Sequence, residues 1–160
     1  MRANWVTFMA LSLLCFCGSA VAQVSTTKSS GQTLYLPIYS HIWHGDFDRT
    51  GEPAKTLVSI SVSIRNTDPA NAIRVSSAQY YDTNGRKLKE YVPSPRAIAP
   101  MATYELFIQR SDDSGGSGAN FLISWSSEAP VNPPIVEGVH ANLPAGRSIV
   151  FTTSARPLAP

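Results

Sequence analysis

The chain has 160 residues, 43% of them hydrophobic and 15% charged, and thirteen Lys and Arg face eleven Asp and Glu for a formal net charge of +2. This near balance excludes the broad basic surface that nucleic-acid binding usually needs, so we expect no nucleic-acid partner. The basic cluster of Arg86, Lys87 and Lys89 is typical of the solvated face of a hairpin. The length suits a single domain.

The first 22 residues have the features of a secretory signal peptide. A positive end at Arg2 precedes an almost wholly apolar run, Trp5 to Cys17, which is too short to cross a bilayer comfortably. Ala20-Val21-Ala22 supplies the small residues at which a signal peptidase cuts. We therefore predict cleavage after Ala22 and a periplasmic or secreted product without a membrane span. Cleavage removes both cysteines, so the exported chain depends on burial rather than disulfides.

The clearest structural signal after the signal peptide lies between Leu57 and Arg65. Apolar residues at positions 58, 60, 62 and 64 alternate strictly with Ser or Arg. Successive side chains of a strand point to opposite faces, so this pattern predicts a strand with one face in a core. Similar patterns predict strands over residues 34–39, 73–82, 87–92, 103–110, 121–125, 135–141 and 147–153.

Three local features refine these strands. Pro37 cannot donate to a ladder, which favours an edge position for the first strand. The apolar alternation slips within the segment 73–82, which predicts a bulge near Ser76 and Ser77. Asn84-Gly85 predicts a type I′ hairpin turn, in which both central residues have positive φ.

Together these elements predict an all-β fold, an antiparallel β-sandwich of immunoglobulin-like architecture, with a small β-barrel as the alternative. The predicted organisation is a signal peptide over residues 1–22, a flexible leader over 23–32, a single sandwich domain over 33–154 and a C-terminal tail over 155–160. The leader is assigned because its residues are mostly Ser, Thr and Gly, and the tail because it is a short terminal segment that contains proline.

Four phrases of the sequence are specific as a set: Tyr35-Leu-Pro-Ile-Tyr-Ser-His41, Ser63-Ile-Arg-Asn-Thr-Asp68, Tyr80-Tyr-Asp-Thr-Asn-Gly85 and Gly115-Gly-Ser-Gly-Ala-Asn-Phe121. They resemble a bacterial family of exported proteins catalogued as domain of unknown function 3124. The likeness covers nearly the whole chain after the signal peptide, from Gly31 to Ser154. The resemblance implies export and brings no mechanism.

The loop from Arg110 to Gly118 is the first candidate site. Its glycines allow positive φ and close backbone approach, so consecutive N–H groups could form an anion-binding nest. Its two carboxylates offer the hard oxygens that calcium prefers, although the alternating acidic spacing of a dedicated calcium loop is missing. The alternative is a long flexible hairpin loop. The residues considered for a ligand or partner are Asp112, Asp113, Gly115, Gly116, Ser117 and Gly118.

A second candidate is a metal site built from His41, His44, Asp46 and Asp48. Two imidazoles and two carboxylates within eight residues could coordinate zinc or copper if the segment formed a loop, with His140 as a further ligand. On a strand, the two histidines would face opposite ways. The alternative is a loop in which Trp43 and Phe47 are packed and the imidazoles are solvated.

Two function hypotheses remain. The first, which we favour, is a non-catalytic exported binding or interaction module that recognises an envelope protein or another extracytoplasmic ligand. The second is a metal-binding protein or metal-dependent enzyme that uses the cluster from His41 to Asp48. No catalytic residue and no cofactor is predicted, because no histidine, acid and nucleophile are placed together by the sequence.

Overall fold

The computed structural model describes residues 27–159, so the predicted signal peptide and residues 23–26 of the predicted leader lie outside the described residues. Its strands, in chain order, are β1 (Ser29–Ile38), β2 (His41–Phe47), β3 (Pro53–Leu57), β4 (Ser59–Arg65), β5 (Ile73–Tyr81), β6 (Lys87–Glu90), β7 (Arg96–Ile98), β8 (Thr103–Ile108), β9 (Ala119–Val131), β10 (Ile135–Asn142), β11 (Ile149–Ser154) and β12 (Arg156–Pro157). Within residues 27–159, no helix has the length and apolarity needed to span a bilayer.

The strands form three antiparallel sheets. A six-stranded sheet has the order β12-β1-β9-β5-β6, with β7 also paired to β5, and a four-stranded sheet has the order β11-β10-β4-β8. A separate two-stranded sheet consists of β2 and β3, which we call the β2–β3 hairpin. The sheets are not closed into a barrel. The predicted all-β, antiparallel sandwich is therefore confirmed, and the barrel alternative is not formed.

The core lies between the two large sheets. Ile60, Val62 and Ile64 of β4, three of the alternating residues of the sequence pattern, are fully buried. They belong to one hydrophobic cluster with Phe121 and Ile123 of β9, in the facing sheet. Each such side chain contributes roughly 1.5–3 kcal/mol of transfer free energy when it is fully buried. Burial of this one face is what holds the sandwich together.

The predicted bulge in β5 is confirmed. Val75 is the Cα partner of Trp125 and Ser77 is the partner of Ser124, so Ser76 is the extra residue on the bulged strand. The Ser76 hydroxyl donates to the Ser124 carbonyl over 3.2 Å. The slip in the apolar alternation thus marked the position where two residues of β5 oppose one of β9.

The turn at Asn84-Gly85 is not the predicted type I′ turn. Gly85 has φ of 78°, whereas Asn84 is not among the positive-φ residues of the described chain. The Asp82 carbonyl accepts from the Gly85 N–H and the Asp82 N–H donates to the Arg86 carbonyl, both over 3.0 Å. This is a three-residue loop with glycine in the left-handed position. The Asp82 carboxylate selects it by accepting from the N–H groups of Asn84 and Arg86.

Strand pairing extends beyond both predicted domain boundaries. Residues 29–32, assigned above to a flexible leader, belong to β1 because their backbone lies beside the long strand β9. Arg156 and Pro157, assigned to the tail, form β12 against Tyr35 and Leu34. β1 lies between β12 and β9, so the edge position that Pro37 favoured is wrong for the strand as a whole. Because β12 pairs with β1 at only these two positions, Pro37 has a partner strand on the β9 side alone, which a residue without an N–H tolerates.

Candidate functional site

Three of the four phrases that carry the family resemblance meet at one end of the sandwich. Ser40, between β1 and β2, shares a 2.9 Å hydrogen bond with the Tyr80 hydroxyl, and its N–H donates to the Gly116 carbonyl over 2.9 Å. Thr83 donates to the Gly115 carbonyl through its N–H over 2.9 Å and through its hydroxyl over 3.0 Å. The first, third and fourth phrases therefore form one buried junction.

The glycine loop is tied down by this junction. The N–H of Gly118 donates to Thr83 Oγ1 over 2.9 Å, and the N–H of Gly116 donates to the Asp113 carbonyl over 3.3 Å. The N–H of Ser114 donates to Asp112 Oδ1 over 3.1 Å. Three of the N–H groups that an anion nest would use thus already have protein acceptors. The flexible hairpin loop of the alternative interpretation is instead a packed loop.

The absence of a side chain at position 115 is required by close packing. A Cβ on Gly115 would lie 1.9 Å from the Tyr80 hydroxyl oxygen and 2.8 Å from Ala119 Cβ. Tyr80 cannot move away freely, because its ring is buried and stacks on Phe121 with centroids 5.1 Å apart. Burial also raises the pKa of Tyr80. The loop glycine and the buried tyrosine therefore fit each other.

We expect Gly115→Ala to lower the free energy of unfolding by about 2 kcal/mol or more, because overpacking displaces Tyr80 and breaks its bond to Ser40. Urea denaturation followed by tryptophan fluorescence measures the loss. Ser117→Ala in the same loop is the matched control and should change stability by less than about 0.5 kcal/mol. Similar losses for the two variants would contradict the packing argument.

Asp113 binds two basic side chains at the rim of the junction. Its Oδ1 accepts from His41 Nδ1 over 2.7 Å and its Oδ2 accepts from Lys55 Nζ over 2.6 Å. The Lys55 bond lowers the pKa of the Asp113 carboxyl most, burial opposes this, and His41 lowers it further. Both carboxylate oxygens are engaged, so Asp113 ties the loop to the β2–β3 hairpin rather than presenting free oxygens to calcium.

The structure does not bring the predicted metal ligands together. The segment from His41 is strand β2 rather than a loop, so His41 and His44 lie on opposite faces. His44 Nε2 bonds Thr56 Oγ1 over 2.8 Å. Asp48 Oδ1 accepts from the Thr50 hydroxyl and N–H and stabilises the turn of the hairpin. Within residues 27–159, no three His, Cys, Asp or Glu side chains are grouped as a metal site.

The remaining histidine and the second acidic candidate are also accounted for by local contacts. His140 is fully buried in β10, in the four-stranded sheet, and its Nε2 bonds the Tyr39 N–H. Asp112 Oδ1 accepts from the Ser114 hydroxyl and N–H. Asp46 lies exposed on β2. None of these side chains joins the contact between His41, Lys55 and Asp113.

Two exposed aromatic residues share one face of the β2–β3 hairpin. Trp43 is the Cα partner of Lys55 and Phe47 is the partner of Pro53, with a bulge between the two pairs. Since Pro53 and Lys55 are two apart on β3, their partners lie on the same face. Trp43 is 45% exposed and Phe47 76% exposed. The expectation that these two aromatics are packed is therefore wrong.

The Trp43 end of this face joins the buried junction. The rings of Trp43 and His41 make an edge-on contact, with centroids 4.7 Å apart and planes at 80°. His41 is buried and its Nε2 has no hydrogen-bond partner, so the imidazole is held by Asp113 on one side and packed by Trp43 on the other. We call the side chains of Trp43, Phe47, Lys55 and the half-buried Pro53 the hairpin face. Sequence reasoning singled out Trp43 and Phe47 but neither Pro53 nor Lys55, and it missed the exposure of the two aromatic residues.

The second phrase, Ser63 to Asp68, forms a separate structural hub. Asn66 Nδ2 donates to the carbonyls of Asn71, Ile98 and Ala99. Asp68 Oδ1 accepts from the N–H groups of Ala70 and Asn71. The bond from Ala70 is the largest cause of the lowered pKa of Asp68. These contacts connect the loop after β4 to β7 and do not reach the hairpin face.

Comparison with known proteins identifies the family. A solved structure entitled "Crystal Structure of Thermotoga maritima 1070" is 11% identical to this chain, with a TM-score of 0.43 over 78% of this chain and 92% of that one. No curated protein matches the sequence. The model of the family described as "Protein of unknown function (DUF3124)" matches residues 31–158. This confirms the resemblance predicted from the four phrases, and the chain belongs to the DUF3124 family.

Proposed function

We propose that this protein is an exported, non-catalytic binding module that engages a protein of the cell envelope through the hairpin face. The observation that carries the proposal is the exposure of two large aromatic side chains on one side of a hairpin that joins neither large sheet. Exposed Trp and Phe side chains that a stable fold does not need to bury are characteristic of interaction sites.

The composition of the hairpin face favours a protein partner. Trp43 and Phe47 form an apolar centre, and their exposed fractions, 45% and 76%, are the area that a complex can bury. Around them the hairpin carries charges of both signs, with Asp46 and Glu52 opposed to Arg49 and Lys55. An aromatic centre with a rim of mixed charge is the usual anatomy of a protein–protein interface. Because Asp46 and Glu52 balance Arg49 and Lys55, this rim offers no net positive charge to attract the anionic surface of a membrane.

The base of the hairpin is organised before any partner arrives. Asp113 holds His41 and Lys55 over 2.7 and 2.6 Å, and the Val58 N–H donates to the Ser40 carbonyl over 3.0 Å. Trp43 rests against the buried His41 ring. A surface that is already ordered loses less conformational entropy on binding, which favours affinity.

The cellular location of the partner follows from the predicted signal peptide. Cleavage after Ala22 would release the domain into the periplasm or the medium, where envelope proteins are the available partners. After this cleavage the protein would contain no cysteine, so the domain would fold outside the cytoplasm without disulfide bonds.

Photo-crosslinking in the native cells tests this proposal. A photoreactive residue at Phe47 should give one adduct of defined mass, whereas the same residue at Phe107, 63% exposed on β8, should not. Adding Trp43→Ala should abolish the adduct. The purified partner should bind wild type roughly 30-fold or more tighter than the Trp43→Ala variant, because a central aromatic residue contributes about 2 kcal/mol or more.

Two results would overturn the proposal. One is an identical set of adducts from positions 47 and 107, since this would mean that crosslinking reports only exposure. The other is an adduct at position 47 that persists when Trp43 is removed and whose purified partner binds both proteins equally.

A further inference from the structure

The crossover from β1 to β2 is anchored by its backbone. It consists of Tyr39 and Ser40, the residues between the two strands. The Ser40 N–H donates to the Gly116 carbonyl, as described above. The Tyr39 N–H donates to His140 Nε2 over 3.2 Å. Since β1 lies in the six-stranded sheet and β10 in the four-stranded sheet, this bond connects the two layers at the point where the hairpin begins.

The proton of His140 is fixed by this bond. A backbone N–H only donates, so Nε2 must be the unprotonated nitrogen and Nδ1 must carry the hydrogen. Nδ1 is buried and has no hydrogen-bond partner. The imidazole stacks on Phe151, with centroids 4.5 Å apart and planes at 4°, and the Tyr39 ring packs edge-on at 5.8 Å.

The surroundings of His140 contain no countercharge. β4 places Ile60 beside it, β11 contributes Phe151, and the crossover contributes Tyr39. Ile38 of β1 lies nearby, since its Cδ1 and the His140 Cε1 both approach Gly138. Tyr39, whose ring packs edge-on against the imidazole, is the titratable residue that contacts it from these elements, and no charged side chain of the described residues contributes to the shift of its pKa. Burial lowers the pKa of His140 to about 4, and the nearby carbonyls of Gly138 and Phe151 offset only part of that effect.

Protonation would convert His140 from an acceptor into a donor on both nitrogens. Nε2–H would then face the Tyr39 N–H, so the cross-sheet bond could not persist. The new positive charge would also be buried without a partner, which the packed aromatic surroundings cannot accommodate. Asp113 has a lowered pKa and stays ionised at mildly acid pH, so its bonds to His41 and Lys55 remain.

We propose that His140 is an acid-sensitive latch, whose protonation releases Tyr39 and frees the crossover that carries the β2–β3 hairpin. The regulatory meaning of this release rests on the proposed function of the hairpin face. The release itself does not, because it depends only on contacts within the sandwich.

Amide hydrogen exchange of the wild-type protein between pH 7 and pH 4 tests the latch without any partner. The protection factor of the Tyr39 amide, which is already corrected for the intrinsic exchange rate, should fall by about tenfold or more as the pH is lowered. The amides of Leu36 and Ile123, in the core away from His140, report the fall in global stability alone, and the protection of the Tyr39 amide should fall further than theirs. Unchanged protection at Tyr39, or an equal loss at all three amides, would overturn the proposal.

His140→Gln supplies the matched variant. The glutamine side chain offers a carbonyl oxygen that can accept from the Tyr39 N–H and has no titratable proton. The Tyr39 amide of this variant should show the same protection at pH 4 and pH 7. A variant that still loses Tyr39 protection in acid would overturn the latch, whatever the result of the crosslinking. Should the variant not fold, the wild-type exchange pattern alone decides the question.

Discussion

Val62→Asp should unfold the domain. Val62 is fully buried in the cluster between the sheets, so a carboxylate at this position would have no water and no hydrogen-bond partner. Burying a carboxyl group without a hydrogen-bond partner costs several kcal/mol even when it is protonated, and the transfer free energy of the two valine methyl groups is lost as well. The total is comparable with the whole stability of a domain of this size, which is on the order of 5–15 kcal/mol.

The neighbouring residue provides the control for Val62→Asp. Ser61 lies on the opposite face of β4, where its cross-strand partners are Phe107 and Val139. A carboxylate there remains in contact with solvent, so Ser61→Asp should cost about 1 kcal/mol or less.

Near-ultraviolet circular dichroism and urea denaturation of the two purified variants measure this difference. Val62→Asp should lack a cooperative transition, and Ser61→Asp should retain one close to that of wild type. Equal damage by both substitutions would mean that β4 is covered on both faces, which would contradict the sandwich.

The sequence predicts those parts of the fold that depend on the periodic pattern of neighbouring residues. The alternation in β4 places Ile60, Val62 and Ile64 in the core, because the direction of a strand side chain depends only on its parity. The bulge at Ser76 is visible as a break in the same parity. The type of turn at Gly85 is harder to predict from the sequence, because it depends on the hydrogen bonds that the Asp82 carboxylate makes in the folded hairpin.

The candidate site depends on contacts that are distant in sequence. His41 and Asp113 are 72 residues apart, so nothing in the spacing of either reveals the bond between them. The segment from His41 to Phe47 lacks alternation because it pairs with β3 alone and has no core to cover. Its aromatic residues therefore resembled core residues. Only the register with Pro53 and Lys55 places Trp43 and Phe47 on one exposed face.

Stability should also fall steeply in mild acid because of His140. In the unfolded chain this imidazole titrates near its ordinary value of 6.5, whereas burial lowers the pKa in the folded protein to about 4. Between these values the unfolded state binds more protons than the folded state, so acid favours unfolding. The stability contributed by the neutral, buried imidazole is present above pH 6.5 and is lost as the pH falls to about 4. The shift corresponds to about 3 kcal/mol.

Comparing wild type with His140→Gln isolates this effect from the other titrating groups. The aspartates with lowered pKa values, including Asp82 and Asp113, lose their contribution mainly below their ordinary value of 3.8, and Glu90 loses its contribution below its ordinary value of 4.5. These losses are common to the two proteins and cancel in the comparison. Urea denaturation at half-unit steps from pH 7 to pH 4 should therefore show the free-energy difference between the two proteins moving by about 3 kcal/mol in favour of the variant. Parallel stability curves would mean that His140 is as easily protonated when folded as when unfolded, which is incompatible with an imidazole sealed between Phe151 and Tyr39.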